Sequence, residues 1–595
     1  MKLVQSLLFS FLFVLVPTIM YSKTDSIHHK MIADLDIIKN TFEVMYAPKD
    51  WKKSYAGWDL DEQISLAKSQ VHSNPNMSIK EFQSVLKGFC NSTRDYHVGI
   101  TFYSTEAAYL PFRVQSGGQG RYFLTWIDNV QVPPTWNVGD EVLLFDGIPT
   151  DDAIAQIKST DLGNPESLTD QGLAEIFLTA RLGSLGKQVP KGRVFVTLKH
   201  RDGTVFDYPM RWDYTPEKIT HTPFAQAMAM SFNKKDAGAN SSSMPKKSLW
   251  SHSFFKKEMT AGFYKGYLDA LSPYKGDEAR LIGSRIGFLP DLGQLIWASD
   301  YTSYFDAYLY ENEQHQIIGY VRIPDYLGID AGAREFQHLM DLFERTSDAL
   351  VIDQTNNPGG HLFHVYALGS MLSEYPLHVP SHRVSLTQED IYFAYDALDE
   401  IHSTEMGRLM AHEDTEDAEE PTLTGYPITL NVIFGLIRYF NFIIDEWDAG
   451  RSITQVAPMY GIDYIWPSPS VQYTKPILFM VNHLAFSCGD FLPAILQDNN
   501  RATIFGTRTA GAGGYVLSHA YPNRFGISHF SFTGSIAERV DSSVLENLGV
   551  VPDIIYEVTA ADLQNNYKDY VNAVNAAVMD LISPKPLEQF EVDEL

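Results

Sequence analysis

"PILFMVNHLAFSCGDFLPAILQD", residues 476–498, places an uninterrupted apolar run, Ile477–Val481, shortly before Ser487, Cys488, Gly489 and Asp490. Phe491, Ile495 and Leu496 then recur at helical spacing. The stretch reads as a buried strand, a turn and a helix. Ser487 at that junction has two uses. It is a good N-cap, which needs no chemistry. It is equally placed as a nucleophile at a helix start, where free N–H groups and the positive end of the dipole gather. There the Cys488 N–H can help hold a tetrahedral oxyanion, and Gly489 leaves room for close approach.

Working outward, the same unit recurs. "IIGYVRIPDY" (317–326) is a strand, and "REFQHLMDLFERT" (334–346) is a helix with Phe336, Leu339, Leu342 and Phe343 on one face. "DALVIDQTNNPGG" (348–360) is a buried strand entering a turn that Pro358 stiffens and that Gly359 and Gly360 free from ordinary φ limits. "DNNRATIFGTRTAGAGG" (498–514) adds a strand and a glycine-rich loop. Alternating strands and helices predict an α/β domain with a largely parallel sheet over 277–595, with an insertion at about 380–470. Ligands bind such sheets beyond the carboxyl ends of the strands, where the turns at 356–360 and 482–487 both fall.

Upstream, Ile32, Leu35, Ile38, Phe42 and Met45, then Phe82, Val85, Leu86 and Phe89, keep helical spacing. They predict a helical N-terminal domain over 23–105. It closes in "NSTRDYHVGITFY" (91–103), a loop into a strand, with His97 at the junction. Residues 106–229 are strand-rich. "WNVGDEVLLFDGIPTDDAIAQI" (136–157) resembles the core of a PDZ domain, a peptide-gripping fold. Residues 230–276 are basic, rich in Ser and Gly, and aperiodic, which by composition alone is a linker.

Bulk properties narrow the function. A chain of 595 residues exceeds one core and predicts two to four domains. Its net charge of −27 argues against nucleic-acid partners. "MKLVQSLLFSFLFVLVPTIMYS" has the pattern of a secretory leader over 1–22. Two cysteines, Cys90 and Cys488, build no disulfide framework. No phosphate loop or Cys/His metal spacing stands out, and the acidic run "HEDTEDAEE" (412–420) reads as solvated loop. No cofactor and no metal are expected.

A serine nucleophile needs a base. Among 18 histidines, His97, His483, His361, His519 and His529 are candidates, and local physics does not rank them. "AFSCG" also approaches the nucleophile elbow of lipases and esterases. That fold orders its triad Ser, acid, His; no histidine follows Glu546, so Asp498 would have to be the acid. Cys488 as a thiolate nucleophile is a further alternative.

The order of "IIGYVRIPDY", "VIDQTNNPGG", "ILFMVNHLAFSCGDFLPAILQD", "IFGTRTAGAGG" and "LENLGVVPDI", with "TRDYHVGI" upstream, resembles the tail-specific (C-terminal processing) and tricorn family of serine proteases. The resemblance implies Ser487 as nucleophile, His97 as base and Glu546 as acidic partner. It implies Cys488 with Gly359 or Gly360 as oxyanion donors. The C-terminal processing branch carries a lysine base where this chain has Ala512, so a Ser/His/Glu triad is expected in place of a Ser–Lys dyad. The resemblance further implies a secreted, self-cleaving zymogen acting on host and bacterial proteins as a homodimer, with 230–276 as an internal inhibitor. A non-catalytic, ligand-binding relative of the same fold is the remaining alternative.

Overall fold

The computed structural model describes residues 15–218, 281–328, 330–405 and 422–583, without the side chains of 15–26 and 404–405. The leader residues 1–14, the basic segment 230–276 and the acidic run 412–420 lie outside the described residues.

Four helices open the chain: α1 (Leu15–Met45), α2 (Lys49–Ala56), α3 (Leu60–Ser73) and α4 (Ile79–Ser92). Asp59 and Ser78 cap α3 and α4, the latter with a reciprocal Ser78–Glu81 box. Their apolar faces, including Leu35, Phe42, Ile64, Phe82 and Phe89, share one core with Phe525, Ile527, Phe530 and Phe532 from far down the chain. Strand β1 (Gly99–Phe102) follows the loop that carries His97.

Next comes the PDZ-like unit. Its sheet holds β2 (Phe112–Ser116), β3 (Tyr122–Ile127), β4 (Glu141–Phe145), β5 (Arg193–Lys199) and β6 (Val205–Arg211), in that order. Helices α5 (Thr150–Asp161) and α6 (Leu168–Thr179) pack on it.

The last unit is built on a seven-stranded sheet. In order it runs β7 (Gln294–Ala298), β8 (Asp306–Glu311), β9 (Ile317–Arg322), β10 (Ala349–Asp353), β11 (Ile477–Val481), β12 (Thr503–Gly506) and the short strand Ile554–Ile555. The first two pairings are antiparallel and the remaining four parallel. Every residue of β10 and β11 is buried, which is why neither shows polar alternation. Helices α7 (Asp330–Thr346) and α8 (Leu362–Ser370) cover the sheet with the two insertion helices, α9 (Gln388–Glu400) and α10 (Leu430–Asp448). Helix α11 (Cys488–Asp498) carries the opening motif. The hairpin β13 (Val516–His519) and β14 (Ile527–Thr533) returns to the N-terminus, where β14 pairs antiparallel with β1. The overall class is α/β with a helical N-terminal region, as expected. The N-terminal helices are not self-contained, because their core is completed by β14.

A buried ion pair lies beneath the site. Arg322 on β9 meets Asp353 at the end of β10 at 3.0 Å. Arg322 also donates to the carbonyls of Ser284 and Thr355, and Asp353 accepts from Tyr320, Thr355 N–H and Thr355 Oγ1. With its polar atoms satisfied, this pair fixes where the turn after β10 begins.

Candidate active site

Strands β10 and β11 are neighbours with Asp353 beside Met480, so their turns emerge together. Side chains stitch the turns: Asn356 N–H donates to Asn482 Oδ1, and Asn482 Nδ2 donates back to Asn356 Oδ1, each at 2.8 Å. Phe486 N–H donates to the Asn357 carbonyl at 2.9 Å. The outcome is close approach at the nucleophile candidate. A Cβ built on Gly359 would lie 2.8 Å from the Ser487 Cβ and 3.0 Å from the Cys488 nitrogen, so only glycine fits.

Ser487 has φ 55° and ψ −115°, a strained conformation for a residue with a side chain. Its carbonyl accepts from Asp490 and Phe491 and starts α11, while its side chain makes no capping hydrogen bond. The capping use is therefore not realised, and the hydroxyl is left half-buried at the helix start. Gly359 N–H is already given to Asn357 Oδ1 at 2.8 Å. Gly360, at φ 152°, bridges to Tyr326, and its carbonyl accepts from the Cys488 thiol at 3.2 Å. That contact turns the thiol toward the turn instead of a substrate.

The second half of the site comes from elsewhere. His97 is buried; its main-chain N–H donates to Asp95 Oδ1 at 2.8 Å and its carbonyl accepts from Ser531 on β14. Burial pushes the ring down to about 4; Asp95 opposes this and the Lys52 ammonium adds to it. The imidazole is therefore neutral near pH 7, the form that can accept a proton. Glu546 is fully buried. One oxygen accepts from Lys52 Nζ and the other from Gly513 N–H at 2.9 Å. Burial first, then the nearby Asp95, push this carboxyl up to about 7, against the pull of Lys52.

The glycine-rich loop joins the halves. Gly511 and Ala512 N–H donate to the two oxygens of Asp490 on α11, at 2.8 and 3.0 Å, and the next N–H goes to Glu546. Ala512 is buried in an apolar cluster with Leu484 and Phe486. A cavity of about 150 Å³ opens at the Phe486 edge of this cluster. It is lined by Tyr96 and Val98 on either side of His97, by Phe486 before Ser487, and by Pro358.

The sequence candidates divide cleanly. Ser487, Cys488, Gly359 and Gly360 meet in one place, and His97 and Glu546 share a second cluster through Lys52 and Asp95. His483 hydrogen-bonds Thr507 and packs on Gly172 of the PDZ-like unit. His361 sits at the start of α8; His519 is exposed on the β13–β14 hairpin, where His529 contacts Ser518. Asp498 ends α11, about 16 Å along the helix from Ser487, and is paired with Arg539. It cannot serve as the acid of a lipase-type triad. The sequence alone gives Lys52, Asp95 and Asp490 no part in the site. Asp490, three residues after Ser487 in a helical phase, was the most detectable; Lys52, in "WKKSYAGWD", looks like any solvated lysine.

Residues 317–556 match the model of peptidase family S41, and residues 106–219 match a PDZ domain. A protein of Chlamydia muridarum is 35% identical over 575 residues, covering 93% of each chain. The chain belongs to peptidase family S41. A Chlamydia trachomatis protein is 34% identical over 578 residues, again 93% of each. The solved structure of mature CPAF (chlamydial protease-like activity factor) has a TM-score of 0.77 at 33% identity, covering 93% of this chain and 98% of that one. CPAF complexed with lactacystin gives the same score and identity. Membership of family S41 makes the chain a serine endopeptidase acting on protein substrates. Among the described residues no helix is long and apolar enough to cross a membrane, and no group of His, Cys, Asp or Glu could hold a metal ion.

Proposed function

We propose that this S41 peptidase cleaves peptide bonds with a Ser487/His97/Glu546 triad. The observation that carries the reading is the strained Ser487 at the α11 start, seated against a glycine turn from the adjacent strand. Neutral His97 takes the Ser487 proton as the hydroxyl attacks the scissile carbonyl, and then delivers it to the leaving amine. Glu546 fixes the imidazole and offsets the charge it gains. The oxyanion is held by the Cys488 N–H and by Gly360, since Gly359 N–H already serves Asn357. Water then releases the acyl group by the same proton route.

Three finer features extend the proposal. Segment 230–276 is an internal inhibitor removed by self-cleavage: its lysines suit an acidic body, and Leu249, Trp250, Phe254 and Phe255 offer apolar anchors for a cleft. The chain is exported through its 1–22 leader, and it works as a homodimer on host and bacterial proteins; the resemblance to CPAF supports both. The test uses full-length wild type and Ser487→Ala. A fluorophosphonate probe should label only the wild type. N-terminal sequencing should find fragments parted within 230–276 in the wild type and an intact chain in the variant. Labelling and self-cleavage that persist in Ser487→Ala would refute the nucleophile.

A further inference from the structure

Lys52 is a fully buried lysine on a short helix of the N-terminal unit, and all three of its donors are used. They go to Glu546 Oε1, to Asn547 Oδ1 at 2.7 Å and to the Arg94 carbonyl at 3.2 Å. It therefore grips both the candidate acid and the residue after it, and the chain three residues before His97. A buried ion pair contributes little net stability compared with an apolar pair of similar volume, so stapling alone is a weak account of it.

The groups around the Glu546 carboxylate are few. Lys52 reaches it from α2 and Gly513 N–H from the glycine-rich loop, whose other face is held by Asp490. Asp95 acts on it from the loop before β1, where Lys52 and Asp95 also act on His97, and the Tyr46 hydroxyl lies close enough to interact while donating to Asp95 Oδ2 at 2.9 Å. Lys52 is thus the cation in contact with the Glu546 carboxylate, and Asp95 lies near enough to push that carboxyl up against its pull. Without Lys52 the Glu546 carboxylate loses its counter-charge and is protonated more readily. Asp95 itself is held by the Tyr46 and Thr533 hydroxyls and the His97 main-chain N–H, and so does not replace Lys52 at Glu546.

We infer that Lys52 is a positioning residue of the peptidase, holding Glu546 ionised and aimed so that it can support His97. The inference rests on the triad reading. It assigns a part in the chemistry to a helix some 490 residues away in sequence from the acid it serves.

The experiment measures kcat and KM against a fluorogenic protein substrate from pH 5 to 9. It compares full-length wild type, Lys52→Met, Glu546→Gln and the double variant. In Lys52→Met the acid limb of kcat/KM should move up by about one pH unit or more, a tenfold loss at pH below the limb. The rate should recover toward pH 9 with KM little changed. The double variant should match Glu546→Gln, because Lys52 acts through that carboxylate. An unmoved limb with a loss equal at every pH would overturn the inference, as would additive losses in the double variant. Lys52→Gln repeats the test if the methionine variant does not fold. Failure of both to fold would mark the pair as structural and also sink the inference. Wild-type rates in Glu546→Gln would refute the triad itself and leave Lys52 without a role.

Discussion

The two halves of the site are built on opposite plans. The proposed nucleophile half comes from two adjacent parallel strands. Its residues are fixed by main-chain register, side-chain amides and glycines that admit no Cβ. The proposed acid–base half is gathered from residues 46–52, 93–97, 513 and 546–547, and it is fixed by buried charge. The first plan gives a geometry that pH scarcely touches. The second gives a geometry that holds only while particular protons are in place.

The sharpest way to probe this contrast is at Ser487. Ser487→Ala should lower kcat by roughly 10⁴-fold or more, while its melting temperature stays close to wild type, since the side chain makes no capping bond. Unfolding of the variant would mean that the hydroxyl, and not the sheet, holds the turn. On the other side, His97→Ala and Glu546→Gln should each cost roughly 10³–10⁴-fold in kcat, and the two together little more. Losses that multiply would show that the two residues do not act as one unit.

Gly360→Ala tests the rigid half from within. The added Cβ would fall 2.2 Å from the Tyr326 carbonyl carbon, so the turn must shift and carry its N–H away. A loss of roughly 10²–10³-fold in kcat is expected; unchanged kcat would place the second oxyanion donor elsewhere. The charged half should respond to acid instead. As pH falls from 7 toward 4, the Glu546 carboxyl and then the His97 ring take protons, so kcat/KM should fall in that window. Stability should not fall through Glu546. Its folded carboxyl sits above its usual 4.5, so the folded chain takes that proton first and is favoured as pH drops below about 7. An acid loss of activity that tracks unfolding would contradict this. The smallest effect belongs to Ala512→Lys, which should raise activity not at all and lower stability, because residue 512 is packed among Leu484 and Phe486. A gain in kcat would show that position 512 still points at Ser487.

The same contrast explains what could be read from the sequence. Strand β11, the turn and α11 announce themselves through local pattern, and so do β10 and "NNPGG". A parallel sheet then brings its carboxyl ends together without further information. The pairing of Lys52 with Glu546 has no such signature. Lys52 lies among Lys49, Asp50 and Lys53 in a short helix, and its burial depends on where α2 lands against the 546–547 turn. Asp490 fell between the two cases: its helical phase was visible, but its partners, two backbone N–H groups of the glycine-rich loop, were not. His97 and Glu546 were reached only through family resemblance, since five histidines had equal local claims.

The pairing of β1 with β14 also sets a clock. Phe42 and Phe89 emerge from the ribosome early, yet their shared core needs Phe530 and Phe532. The residues between Phe102 and Ile527 take roughly 20–85 s to translate at ~5–20 residues per second. Throughout that interval the nascent chain has no finished version of the proposed acid–base half, because Ser531 and Thr533 of β14 anchor His97 and Asp95. On the triad proposed above, the nascent chain therefore stays inactive until β14 has been translated, by nothing more than the order in which the strands are read out.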